Sequence, residues 1–154
     1  MNDATPPSGP LLAAAEIITV GLPFCAFKVL TGMALLDVGA VGRAGFGLLV
    51  LGAIDLGFNL LNLGGLVVGR RRVAAVCLLA HVQRRFFRST SPSDLGIALD
   101  VFLSFALVAL VVGGGMIPHI PPALLPVWNV AVVLNVLGAG ISRLHASLQT
   151  RARS

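Results

Sequence analysis

The sequence predicts an all-α membrane protein, a bundle of four transmembrane helices. Three observations carry that class. Apolar residues make up 56% of the 154 and charged residues only 11%, against about 25% charged in a soluble domain. Mean hydropathy is +0.95. The apolar residues also fall into four runs, each with room for the roughly 20 residues a helix needs to cross a bilayer.

The chain opens with MNDATPPSGP, residues 1–10, polar and proline-rich and so expected to be a disordered tail. No Lys or Arg precedes Lys28, so the positive start of a signal peptide is missing and the first span is expected to be retained. Span one is placed at 11–36. Pro23, near its middle, is expected to kink the helix or free a backbone carbonyl, and Glu16 and Lys28 are its charged members. The linker DVGAVGR, residues 37–43, is short enough to make span two, 44–69, an antiparallel neighbour. Span two carries Asp55, Asn59 and Asn62. Offsets of four and seven put them on one polar stripe, which must face protein or water because lipid tails offer no partner.

Residues 70–94 form a cytoplasmic segment with an apolar core at 73–82, too short to span and apolar all round. A short basic interfacial helix is expected there, lying at the interface or against the bundle. Its Arg70, Arg71, Arg72, Arg84, Arg85 and Arg88 would reach anionic lipid head groups or a partner subunit, with Phe86 and Phe87 inserted beside them. Ser91-Pro92-Ser93-Asp94 supplies turn and N-cap chemistry for span three, 95–117, where Asp100 and Ser104 share a face. Gly113, Gly114 and Gly115 loosen its far end. Span four, 122–144, carries Asn129 and Asn135 and leads into a basic tail, 145–154. The four spans, 11–144, make one domain.

Orientation follows from charge. With four spans, the tails and the long middle segment share one side. That side holds Arg70, Arg71, Arg72, Arg84, Arg85, Arg88, Arg143, Arg151 and Arg153, nine of the eleven Lys and Arg. The positive-inside rule then makes both termini cytoplasmic. The net charge of +5 resides in this asymmetry, so no nucleic-acid partner is expected.

At 1.5 Å per residue, counting from each span's midpoint sorts the polar groups into two layers. Lys28 and Asp55 fall roughly 3–6 Å to the outer side of centre, with Asn129 beside them, and an intramembrane ion pair is expected. Glu16, Asn62, Asp100 and Asn135 fall on the cytoplasmic half, a candidate proton or cation layer.

Motifs for nucleotide, zinc-hydrolase or serine-hydrolase chemistry are absent from the sequence, and His81, His119 and His145 sit at span ends or in loops. Cys25 and Cys77 are far apart in sequence and read as small buried hydrophobes. No cofactor, no metal and no enzymatic activity are expected. The leading reading is a non-enzymatic helical subunit of a bacterial inner (plasma) membrane, packing with itself as a homo-oligomer or with other membrane-protein subunits. The alternative is a small proton- or cation-coupled transporter or channel using its intramembrane carboxylates. The run Ala15-Glu16-Ile17-Ile18, with Lys28 later in the helix, resembles the first helix of the small multidrug-resistance transporters. The resemblance implies a glutamate that binds protons and cationic drugs in a four-span dimer. It ends with that helix: the long basic segment after span two, Asp55 with its two asparagines, and the lack of tyrosine depart from the pattern, and the family is not assigned.

Overall fold

The computed structural model describes residues 9–39, 41–69, 74–86 and 94–153, and these are helices and short turns with no strand. Four helical stretches are long and apolar enough to cross a bilayer: Pro10–Val38, Gly42–Val67, Leu95–Gly113 and Pro122–Ile141. The first is composite. Helix α1 (Pro10–Glu16) passes through a π-helical turn, Ile17–Gly21, into α2 (Leu22–Val38). Pro23 has no N–H to return to the preceding turn, and the chain meets that lack with a wider winding in which Leu22 N–H bonds Ile17 O. The proline thus produces a π-turn within a continuous helix.

Helix α3 (Gly42–Val67) returns beside α2. The short α4 (Leu78–Phe86) follows, then α5 (Asp94–Gly113), two 3-10 turns and α6 (Leu125–Arg153). Span three ends earlier than the expected 117. Gly115 takes φ +67°, with Met116 N–H on Val111 O at 2.9 Å and Gly115 N–H on Val112 O at 3.4 Å, the Schellman pattern that glycine's missing Cβ permits. At the other end α6 runs through the residues expected as a separate tail, reaching Arg153.

Glycine decides how closely the first two spans approach. A Cβ on Gly32 would stand 2.7 Å from the carbonyl oxygen of Gly45, and one on Gly45 would stand 2.7 Å from that of Gly32. The contact is backbone on backbone, the small-residue packing that membrane helices use in place of a hydrophobic drive. Gly69, near the end of α3, has open space around it, so the close approach belongs to the other end of that helix.

Two kinds of interior result. One face of α2 meets α5 and α6 in an apolar core containing Phe24, Phe27, Leu30, Val111, Ile120 and Trp128. Phe27 and Trp128 pack with ring centroids 5.2 Å apart. The face turned to α3 is glycine-lined toward one end and polar toward the other, because the buried residues of α3 are Gly45, Gly52, Asp55, Asn59 and Asn62. Its Leu56, Leu60 and Leu61 point outward. Helix α3 is apolar where it meets its surroundings and polar where it meets protein, the pattern suited to lipid.

Candidate functional site

Lys28 is fully buried on α2, and its ammonium bridges two carboxylates from two other helices. Nζ donates to Asp55 Oδ2 of α3 at 2.5 Å and to Asp100 Oδ1 of α5. Asp55 is 1% exposed and Asp100 6%, so the triad is enclosed by protein. Depth counted along the spans places Asp100 in a separate, cytoplasmic layer. The two layers merge at Lys28 because its side chain spans the difference: every Cα–Cβ bond tilts toward the helix N-terminus, and the four-carbon stem carries the charge about a helical turn back from its Cα.

Asp55 has a second partner. Its Oδ1 accepts the N–H of Leu78 at 2.6 Å, the first residue of α4, and a carboxylate at that end meets an otherwise unpaired donor and the positive end of the helix dipole. Seven residues along α3, Asn62 Oδ1 accepts Ala74 N–H at 2.8 Å while its Nδ2 donates to Ala75 O at 3.2 Å. Residues 74–78 therefore run antiparallel along the polar stripe of α3, from Asn62 back to its middle. The segment expected to lie as an interfacial helix begins with this return into the bundle. Cys77 then caps α4, its sulfur accepting Ala80 N–H at 3.4 Å. Helix α4 rests on the start of α5, where Gln83 Oε1 accepts Gly96 N–H at 2.6 Å and a Cβ on Gly96 would fall 2.7 Å from Ala80 Cα.

A cavity of about 280 Å³ lies between these elements, lined among others by Glu16, Cys25, Lys28, Asp55, Asn59, Asn62, Cys77 and Asp100. Asn62 lies about two turns from Asp55 along α3, and half-buried Glu16 about three turns from Lys28 along the first span. Glu16 shares this wall with Lys28 because of the π-turn. In an unbroken α-helix the two would point about 120° apart, whereas five residues wound at roughly 80° each bring them to within about 20°. Asn59 holds the middle: its Nδ2 donates to Asp55 O at 2.9 Å and to Cys25 Sγ at 3.5 Å. It fits because Gly21 has no Cβ, which would stand 2.2 Å from Asn59 Oδ1.

The remaining sequence candidates fall elsewhere. Asn135 is buried on α6 outside the cavity lining, and Asn129, placed by depth beside Lys28, is exposed on α6. Arg70, Arg71, Arg72 and Arg88 lie outside the described residues, as does the side chain of Arg84, and Arg85 is exposed on α4. Cys25 and Cys77 are both free and buried. Burial pushes the Cys77 thiol up from 9.0 to about 11, with Asp100 and Asp55 adding to the rise and the Ala80 N–H and Lys28 opposing it. One contact has no signal in the sequence: at the opposite end of the bundle, His119 Nδ1 lies 2.8 Å from Asp37 Oδ2, both exposed. No group of three or more His, Cys, Asp or Glu able to hold a metal occurs among the described residues. Comparison of the chain with protein-family models, with curated proteins and with solved structures finds no match.

Proposed function

We propose that this chain is a small integral membrane protein, with both termini cytoplasmic, that conducts or couples protons through the cavity ending at Lys28, Asp55 and Asp100. The observation that carries this reading is the triad itself: one ammonium held by two carboxylates, buried, at the end of a cavity whose wall also includes Glu16. Charged groups inside a membrane bundle are costly, roughly 2.5–3.5 kcal/mol each for a carboxylate on insertion scales, and such groups mark ion and proton paths. Two carboxylates against one ammonium leave a place for a proton, and the cavity gives it a route. No enzymatic step and no cofactor enters this reading.

The test is proton flux in sealed vesicles containing a pH dye, driven by an imposed potassium diffusion potential. The parent chain should move protons faster than empty vesicles, and Asp100→Asn and Lys28→Met should lower the rate about tenfold or more with the helical spectrum kept. A parent rate equal to that of empty vesicles contradicts the proposal. A second reading has its own observation. Asn129 is exposed on α6 among outward-facing Val127, Val130 and Val133, and an amide there gains a hydrogen bond from another membrane helix. Association with a second copy or a larger complex would satisfy it, and Asn129→Leu should then lower the mass seen in mild detergent.

A further inference from the structure

We propose that residues 74–83 form a gate over the cavity, latched by Asn62 and Asp55, and that the Lys28–Asp55 pair controls it. The proposal rests on reading the cavity as a proton path and assigns the element that opens that path.

Three features set this segment apart from the spans. It is fastened to α3 by hydrogen bonds in which side chains hold backbone: Ala74 and Ala75 on Asn62, Leu78 on Asp55. Such bonds exchange readily for bonds to water. The side chains it buries fully are small, Ala75, Cys77 and Ala80, while Val76, Leu78 and Leu79 are half-buried, so less apolar area resists its departure than holds a span. It also forms part of the cavity wall through Val76 and Cys77, so its departure exposes the polar stripe of α3. A short element whose hold on α3 is polar belongs to the low-stability end of a fold, which opens without global unfolding.

The control lies in Asp55. One carboxylate oxygen ends α4 at Leu78 and the other holds the Lys28 ammonium. The charged groups facing Asp55 are Lys28 from α2 and, across the ammonium, Asp100 from α5, with the thiols of Cys25 and Cys77 nearby. A charged acceptor binds an N–H about twice as strongly as a neutral one. When Asp55 parts from the ammonium, its carboxylate is no longer fixed in place, the N-terminus of α4 loses that hold and the gate loosens. Asn62 acts as a positioning residue, setting the register in which the segment meets Asp55.

The native thiol of Cys77 reports the gate. In the full chain carrying Cys25→Ser, reconstituted in phosphatidylcholine–phosphatidylglycerol vesicles, Cys77 is the one thiol, and its rate of modification by N-ethylmaleimide is measured against pH. Asn62→Ala should raise the rate about tenfold or more. Lys28→Met should raise it about threefold or more, because Asp55 then loses the ammonium that fixes its second oxygen and with it the position from which it holds the Leu78 N–H. In Asn62→Ala the pH dependence should shift downward, toward that of an exposed thiol, because burial is what raises Cys77. Trp128 emission, reporting the apolar core, should stay at the parent wavelength. Rates within about twofold of the parent in both variants, with Trp128 unmoved, overturn the gate. Should either variant unfold, hydrogen exchange of the parent decides. Amides of residues 74–83 should exchange about a hundredfold faster than those of α3 and α5, and equal exchange overturns the proposal. Flux with a fixed gate would remove the gate and leave the proton path, and a moving gate in a protein without flux would do the reverse.

Discussion

At Lys28 three helices meet in a single side chain, and its reach explains what sequence spacing makes visible and what it hides. The period of an α-helix is rigid, so Asp55, Asn59 and Asn62 can be put on one face from their numbers alone. Depth, counted along Cα positions, puts Lys28 and Asp55 at one height. It separates Asp100 from them because a lysine stem carries charge well away from its backbone. The glycines that admit these groups are also hidden, since nothing in a glycine-rich span says which glycine faces a neighbour. Gly52 is one that does: a Cβ there would stand 2.8 Å from Val29 Cγ2 and 3.1 Å from Lys28 Cβ. Gly52→Leu is expected to cost about 1–3 kcal/mol of stability by overpacking and to dislodge Lys28, with flux lost. Gly57, where a Cβ would meet nothing within 4 Å, supplies the control: Gly57→Leu should melt and conduct as the parent does.

At the scale of the element, the π-turn and the returning segment share one cause for being hard to read. Both are set by backbone groups seeking partners, and neither leaves a periodic pattern of side chains. Pro23 announces a disturbance, but whether it bends the helix or widens a turn depends on what packs around it, here Asn59 against Gly21 and Gly138 against Thr19. Residues 74–78 have an apolar composition that fits a buried, interfacial or returning chain equally, and Asn62 and Asp55 decide the matter from another helix. Pro23→Ala restores the missing N–H and with it the regular i to i−4 bond. The first helix should then rewind and turn Glu16 about 100° away from the cavity. In a chain with both native cysteines replaced by serine, Glu16→Cys should label readily with a water-soluble maleimide, and adding Pro23→Ala should slow that labelling about fivefold or more. An unchanged rate would mean the π-turn does not aim residue 16.

For the whole molecule, the architecture is the most legible part: four helices with the length and composition to cross a membrane follow from hydropathy alone. If all four cross, both ends share one side, and the positive-inside rule, applied to the clustered arginines, is the basis for proposing that this side is cytoplasmic. A fluorescent protein fused to either end should therefore glow, and alkaline phosphatase inserted after Gly39 should be active, whereas phosphatase activity at either end contradicts the topology. The bundle closes around an ammonium shared by two carboxylates, and the most direct test of that arrangement is thermal unfolding of two variants in one detergent. Lys28→Met leaves two carboxylates without their counter-charge and should lose about 3–5 kcal/mol. Lys28→Met/Asp55→Asn/Asp100→Asn removes the charges together, keeps an oxygen for the Leu78 N–H, and should recover more than half of that loss. A Lys28→Met protein as stable as the parent, or a triple variant no more stable than Lys28→Met, would contradict the account.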